Sequence, residues 1–203
     1  MINGIMDFPI VPYYLAVRLA RRIDGWLLNG EARFLFSAAR LIKAPDVIAE
    51  IGSWHGKSTV LLCRGSLAGH GVPVYSFDLF EIGGVEADVY REHIGAQQHS
   101  YMKIWRRNVT RARGASLVHP VVGYSWENAG KVSAPIGLLF VDGDHTVEGV
   151  SRDWEAFEPH LAAQAIVMFH DYDKPGVRTV VDRISGGWNV GKVGISAILW
   201  RGF

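Results

Sequence analysis

The sequence predicts an α/β fold: a mostly parallel seven-stranded sheet with helices on both faces, an antiparallel terminal strand and an N-terminal helical arm. Three observations predict it. Five short runs, 47–51, 74–78, 117–122, 136–141 and 165–169, read as buried strands spaced along the chain. Helical periodicity fills the intervals between them. A last pair of runs, 188–193 and 195–200 joined at Gly194, reads as an antiparallel hairpin.

In chain order, residues 13–43 predict two helices. Leu15, Leu19 and Ile23 recur at four-residue steps. After the Asn29-Gly30 break, Phe34, Ala38, Leu41 and Ile42 repeat the pattern, with Glu31 in the first turn. Pro45-Asp46 stops the second helix. No recognisable chemistry falls in this arm, residues 1–45. Packing on the sheet is its expected role, with capping of a site or homodimer formation as alternatives. The core, 46–203, completes a chain read as a single domain. Residues 81–100, with Gly83-Gly84 and many polar side chains, read as a segment over a site, either a substrate lid or a surface insertion. From Tyr101 to Ala112 a helix returns, with Met102, Trp105, Val109 and Ala112 as its apolar stripe and Lys103, Arg106, Arg107 and Arg111 on a solvated face. Val147, Val150, Trp154, Phe157 and Leu161 mark one face of a later helix, and Val177, Val180, Val181 and Ile184 that of another.

The first strand ends in Glu50-Ile-Gly52-Ser53-Trp-His-Gly56-Lys-Ser58-Thr, where the pattern turns from strand to helix. Glycines there let a ligand approach the backbone, and the free N–H groups of a helix start favour electron-rich groups. Glu50 falls at the carboxyl end of the strand, where open α/β sheets bind ligands; an acid there suits an ammonium group or hydroxyls. The spacing is neither the G-x-G-x-x-G fingerprint nor a phosphate-binding loop with its lysine. Asp78 ends the second strand at about the distance of a ribose-binding carboxylate, with helix capping as its alternative. Two further strands run directly into polar clusters, Asp142-Gly-Asp144-His145 and His170-Asp171-Tyr172. Several ionisable groups at the end of a buried strand need partners or solvent, so folding alone does not account for them.

The stretch 50–58 resembles motif I of the class I S-adenosylmethionine-dependent methyltransferases, whose Rossmann-like sheet also ends in an antiparallel strand. Val141-Asp-Gly-Asp-His-Thr-Val-Glu-Gly-Val150, then Phe169-His-Asp-Tyr and Pro175-Gly-Val177, are similar to the small-molecule O-methyltransferase branch that includes cephalosporin-hydroxylase-like and macrocin-O-methyltransferase-like proteins. The similarity spans about residues 28–201. It implies methyl transfer from S-adenosylmethionine to an oxygen of a small-molecule acceptor. Glu50, Gly52, Ser53, Gly56 and Ser58 would form the donor loop, Asp78 would hold the ribose, and Ser125 and Trp126 would flank the adenine. Asp142, His145 and His170 would serve catalysis. Asp142 and Asp171 would hold a magnesium ion where one is used, with His170 as a third ligand. His170 departs from the metal-dependent relatives, which place an acid or amide there. The metal-free alternative makes His145 the general base. Asp144 is expected to be structural.

Rival readings are a binding module that keeps the donor pocket without turnover, and a metal-dependent hydrolase built on the two polar clusters. The hydrolase leaves the glycine turn and Asp78 without a role. Twenty-one basic against twenty acidic residues give no field that favours nucleic acid or a membrane surface. The single cysteine, Cys63, excludes an internal disulfide and a cysteine zinc cluster. No apolar run reaches membrane-span length. Pro9 and Pro12 interrupt an N-terminus without a basic leader, so no signal peptide and a cytoplasmic location are expected.

Overall fold

The computed structural model describes residues 10–80 and 101–203; the expected lid at 81–100 lies outside the described residues. The chain runs α1 (Ile10–Ala20), α2 (Asn29–Leu41), β1 (Val47–Ile51), α3 (Lys57–Ala68), β2 (Val74–Asp78), α4 (Met102–Arg111), β3 (Val118–Val122) and α5 (Ser125–Asn128). It continues through β4 (Ile136–Val141), α6 (Val147–Phe157), β5 (Leu161–Phe169), α7 (Pro175–Ile184), β6 (Asn189–Val193) and β7 (Ser196–Arg201). Among the described residues seven strands form one sheet in the order β3-β2-β1-β4-β5-β7-β6. The first five pair in parallel, and β7 inserts antiparallel between β5 and β6. The expected architecture therefore holds.

Strand order reverses between β1 and β4, so the crevice at their carboxyl ends is the natural ligand site of this topology. Alternation along the strands sorts the core into two layers. Ile48, Leu138, Phe140, Ile166 and Met168 face α2, α3 and α4, packing on Phe34, Leu61 and Trp105. Val47, Ala49, Leu139, Val141, Val167 and Phe169 face α6 and α7, packing on Val150, Phe157 and Val180. Both layers are fully buried, which is why these strands read as apolar runs. The arm packs as expected: Ala16 and Ala20 of α1 and Phe34, Leu35 and Ala38 of α2 belong to the first layer. The parity of β5 also directs His170 to this side, toward α2.

Ile23, Leu117 and Trp188 fall just outside the elements expected to hold them, and two further departures have a clear local cause. Leu161 begins β5 and is not part of α6, because a short 3-10 turn at Glu158–His160, opened by Pro159, ends the helix. Ile195 lies in the turn of the β6–β7 hairpin and not in the strand, since Val193 pairs directly with Ser196. Among the described residues no helix is long and apolar enough to cross a membrane.

Candidate active site

The carboxyl edge of β1 is shaped by one glycine. Gly52 has φ +81°, and a Cβ there would meet the Asp142 carbonyl oxygen at 2.0 Å. Only glycine lets the turn after β1 lie against the end of β4. Asp78, at the end of β2, organises the same turn: Oδ2 accepts from the Ser53 and Trp54 amides at 2.7 and 2.9 Å. Its Oδ1 accepts from the Phe80 amide at 2.7 Å and the Tyr101 hydroxyl at 3.1 Å. Lys57 Nζ donates to the Gly25 carbonyl, tying the arm to the start of α3.

Glu50 lies beneath this turn. It is 0% exposed and accepts from the Thr59 and Ser76 hydroxyls, each at 2.6 Å. Trp105 Nε1 in turn donates to Thr59 at 3.1 Å. Burial pushes the Glu50 carboxyl up to about 7, against the bonds it accepts from neighbouring hydroxyls. The expectation that Glu50 faces a ligand is corrected: its side chain points into the helix layer on α3 and α4, and it braces the turn from below. Gly56 likewise stands behind the cavity, its α-carbon against the Trp105 indole.

The second half of the site is a partly buried chain of charges at the ends of β4 and β5, with His170 its buried member. His145 Nε2 lies 3.0 Å from Asp171 Oδ2 and 4.0 Å from Asp142 Oδ1. His145 Nδ1 is 3.1 Å from Lys174 Nζ, which also lies 3.1 Å from Asp171 Oδ2. His170 Nδ1 lies 3.0 Å from Asp142 Oδ1 and 3.3 Å from Asp171 Oδ1, and its Nε2 is 3.4 Å from Glu31 Oε2. Asp171 takes a left-handed backbone conformation, φ +53°, which aspartate tolerates better than most residues. At Gly176 a Cβ would stand 2.1 Å from the His145 carbonyl oxygen, so the start of α7 seats directly on this loop.

Charge follows geometry. Burial alone would strip the proton from His170, but Asp142, Asp171 and Glu31 outweigh it and hold the imidazolium up to about 12. Burial also opposes ionisation of Asp171, yet His145, His170 and Lys174 keep its carboxyl well below the usual range. Burial raises Asp142 despite its contact with His170. Three carboxylates around one imidazole require a cation, supplied by a proton or by a metal ion. The donor set fits a metal: Asp142, His170 and Asp171 each present one ligand atom, all within 4.8 Å of one another.

A cavity of about 610 Å³ joins the two halves. Of the residues singled out in the sequence, Gly52, Ser53, Ser58, Asp78, Ser125, Trp126, Asp142, His145, His170 and Asp171 line it; Glu50 and Gly56 do not. Ser125 donates to Asp153, a buried acid whose carboxyl burial pushes up to about 7. Trp126 stacks on Tyr124 at 4.6 Å between ring centroids. Asp144 accepts from the Thr146 amide at 2.7 Å, the structural role expected of it.

Sequence reasoning missed Glu31, Lys174, Asp153 and the stretch Asp24 to Leu27, which also forms cavity wall. The arm also reaches the cluster: α2 places Glu31 Oε2 3.4 Å from His170 Nε2. Asp153 had a legible signal, being an acid three residues after Val150 on the apolar stripe of α6. Lys174 had a weaker one, three residues after Asp171.

The chain is 28% identical over 150 residues to the uncharacterized protein y4gI of Sinorhizobium fredii (strain NBRC 101917 / NGR234); the match covers 73% of this chain and 15% of that protein. Among solved structures it is similar to cofactor-bound Rv0187 from MTB, with a TM-score of 0.65 at 17% identity over 93% of this chain and 88% of that one. The O-methyltransferase TomG from Streptomyces achromogenes, in complex with SAM, gives 0.62 at 18% identity over 94% and 90%. The O-methyltransferase NovP gives 0.61 at 17% over 78% and 73%. At these identities the likeness is one of fold. A family model described as "Methyltransferase domain" matches residues 49–172, more than half of the chain. That span runs from the glycine turn through both polar clusters, and the chain belongs to the methyltransferase-domain family.

Proposed function

We propose that the protein transfers a methyl group from S-adenosylmethionine to an oxygen of a small-molecule acceptor. The observation that carries this reading is the meeting, in one cavity, of the glycine turn with Asp78 and the cluster of Asp142, His145, His170 and Asp171. The first set suits a nucleoside-bearing donor. The second suits removal of a proton from a hydroxyl. Ser125 and Trp126, on the β3 side of the same cavity, are the candidates to flank the adenine.

Methyl transfer from a sulfonium is an in-line displacement: the acceptor oxygen forms a bond to the methyl carbon as the carbon–sulfur bond breaks. The protein has to hold that oxygen in line and take its proton. An ammonium can only donate, so the contact from Lys174 makes His145 Nδ1 the acceptor nitrogen and places the ring proton on Nε2, toward Asp171. His145 is thus oriented as a base by Asp171. Lys174 Nζ occupies the position from which an acceptor hydroxyl would approach Nδ1. Asp142 and Asp171, with His170, are the residues that would hold a divalent ion. When bound, such an ion lowers the pKa of the acceptor hydroxyl.

The test is calorimetric titration with S-adenosylmethionine and S-adenosylhomocysteine, followed by a labelled-methyl assay on phenols, sugars and polyketide-like hydroxyl compounds. Micromolar donor binding with label transfer supports the reading. Tight donor binding with no transfer to any acceptor favours a binding module. No donor binding defeats it.

A further inference from the structure

His170 is crowded by more oxygen than an imidazole bonds in the ordinary way. It is 3% exposed, and three carboxylates stand within 3.0–3.4 Å of its two nitrogens. Yet neither nitrogen makes a hydrogen bond of acceptable geometry to any of them. Oxygens that press on a nitrogen without lying along its N–H direction are placed like fellow ligands of a shared centre. On the Nδ1 side those oxygens belong to Asp142 and Asp171, the two carboxylates that face the cavity.

On the Nε2 side stands Glu31, and it is built in. Its Oε2 accepts from the Leu28 amide at 2.8 Å, and its Oε1 accepts from the Ile195 amide at 3.0 Å and the Ser196 hydroxyl at 2.8 Å. The side chain is fixed from two elements, α2 and the β6–β7 hairpin, and reaches no cavity itself. Glu31 Oε2 stands 3.4 Å from Nε2, near enough for a small rotation of the ring on metal binding to bring the N–H onto it, and a carboxylate that accepts from the remote nitrogen of a ligating imidazole fixes the ring's orientation and tautomer and raises its basicity.

We propose that Glu31 sets His170 as the imidazole ligand of a divalent transition ion shared with Asp142 and Asp171, and that the site therefore takes manganese or cobalt in preference to magnesium. This deepens the reading of the cluster as the reaction centre and rests on it. Magnesium demands oxygen ligands in a near-ideal octahedron, whereas first-row transition ions accept imidazole readily. On binding, Nδ1 releases its proton to solvent and no electron is transferred. Glu31 is a positioning residue, since it touches neither donor nor acceptor.

The experiment uses the full chain, stripped of metal with chelator and dialysed. Manganese, cobalt and magnesium chlorides are titrated by calorimetry, and the cobalt form is followed by its visible absorption. The expected result is one ion per chain, with manganese and cobalt bound at least ~10-fold more tightly than magnesium. Glu31→Gln should weaken cobalt binding by ~10–100-fold and shift the absorption band. Glu155→Gln, which alters an exposed acid of α6 that does not line the cavity, should leave both nearly unchanged. His170→Asp should erase the preference and bring magnesium level with manganese, which decides the matter should Glu31→Gln fail to fold. Stoichiometric binding of no ion, equal affinity for magnesium and manganese in the parent protein, or a folded Glu31→Gln with unaltered cobalt binding overturns the proposal. S-Adenosylhomocysteine binding, measured on the same samples, separates the failures. Donor binding without any ion defeats the metal proposal alone, while ion binding without donor affinity defeats the methyltransferase reading.

Discussion

His145 and Asp171 form an oriented pair, Nε2 to Oδ2 at 3.0 Å, across the gap between the end of β4 and the end of β5. The pair leaves one imidazole nitrogen for chemistry and presently gives it to Lys174. Removing the imidazole should therefore remove the base and little else. His145→Gln is expected to lower turnover by ~10²–10⁴-fold, the range of a positioned proton acceptor. Affinity for S-adenosylhomocysteine should be unchanged by calorimetry. A variant that keeps parental turnover would strip His145 of the role.

Asp78 already accepts four hydrogen bonds, so it serves the turn before any ligand arrives. A ribose diol would exchange with the longest of them, from the Tyr101 hydroxyl. Asp78→Ala is expected to weaken donor binding by ~1.5–3 kcal/mol through lost charge-assisted bonds. Tyr101→Phe should change it by less. Equal effects of the two substitutions would assign Asp78 to the turn alone.

Gly52 allows no side chain. Gly52→Ala meets both the left-handed backbone and the Asp142 carbonyl, and the backbone conformation alone costs about 1–2 kcal/mol. Urea denaturation should show a loss larger than that, with the donor site lost in parallel. Unchanged stability would mean that the β1–β4 junction opens without difficulty.

Glu50 predicts a slope of stability with pH. Its carboxyl sits at about 7 in the folded chain against an ordinary value of 4.5, because burial disfavours the anion. The folded state thus holds the proton more tightly than the unfolded one. The stability this gives is complete below pH 4.5 and is lost as pH rises through 7. At ~1.4 kcal/mol per tenfold change in proton affinity, the loss is on the order of 3 kcal/mol. Glu50→Gln should remove about that ~3 kcal/mol from the pH dependence of thermal unfolding between pH 4.5 and 8. Asp153 leaves a residual slope of the same sign, since burial pushes its carboxyl to about 7 as well. An unaltered slope would show that Glu50 is solvated.

Much of this molecule is legible in the chain. Runs such as 136–141 are apolar because helices cover both faces of the sheet, and Asp142 and His170 are conspicuous because they interrupt that pattern at strand ends. Glu31 was not legible in the same way. An acid in the first turn of a helix has a sufficient local explanation, and indeed its Oε2 accepts from the Leu28 amide. Its second task depends on a hairpin more than 160 residues away, which no local pattern encodes. Glu50 misled for the opposite reason: its position at a strand end suggested a ligand, but strand parity turns it toward Thr59 and Trp105.

The bond from the Ser196 hydroxyl to Glu31 spans 165 residues. A ribosome making this chain must therefore finish nearly all of it before this contact can form. Glu31 emerges early, with all seven strands still unmade, and two of its three hydrogen-bond donors, Ile195 and Ser196, come only with the β6–β7 hairpin. Closing so long a loop comes late in folding, after local helices and neighbouring strands have formed. A chain shortened by its final strand would keep the residues of the glycine turn while lacking Ser196, one of the groups that fix Glu31 beside His170.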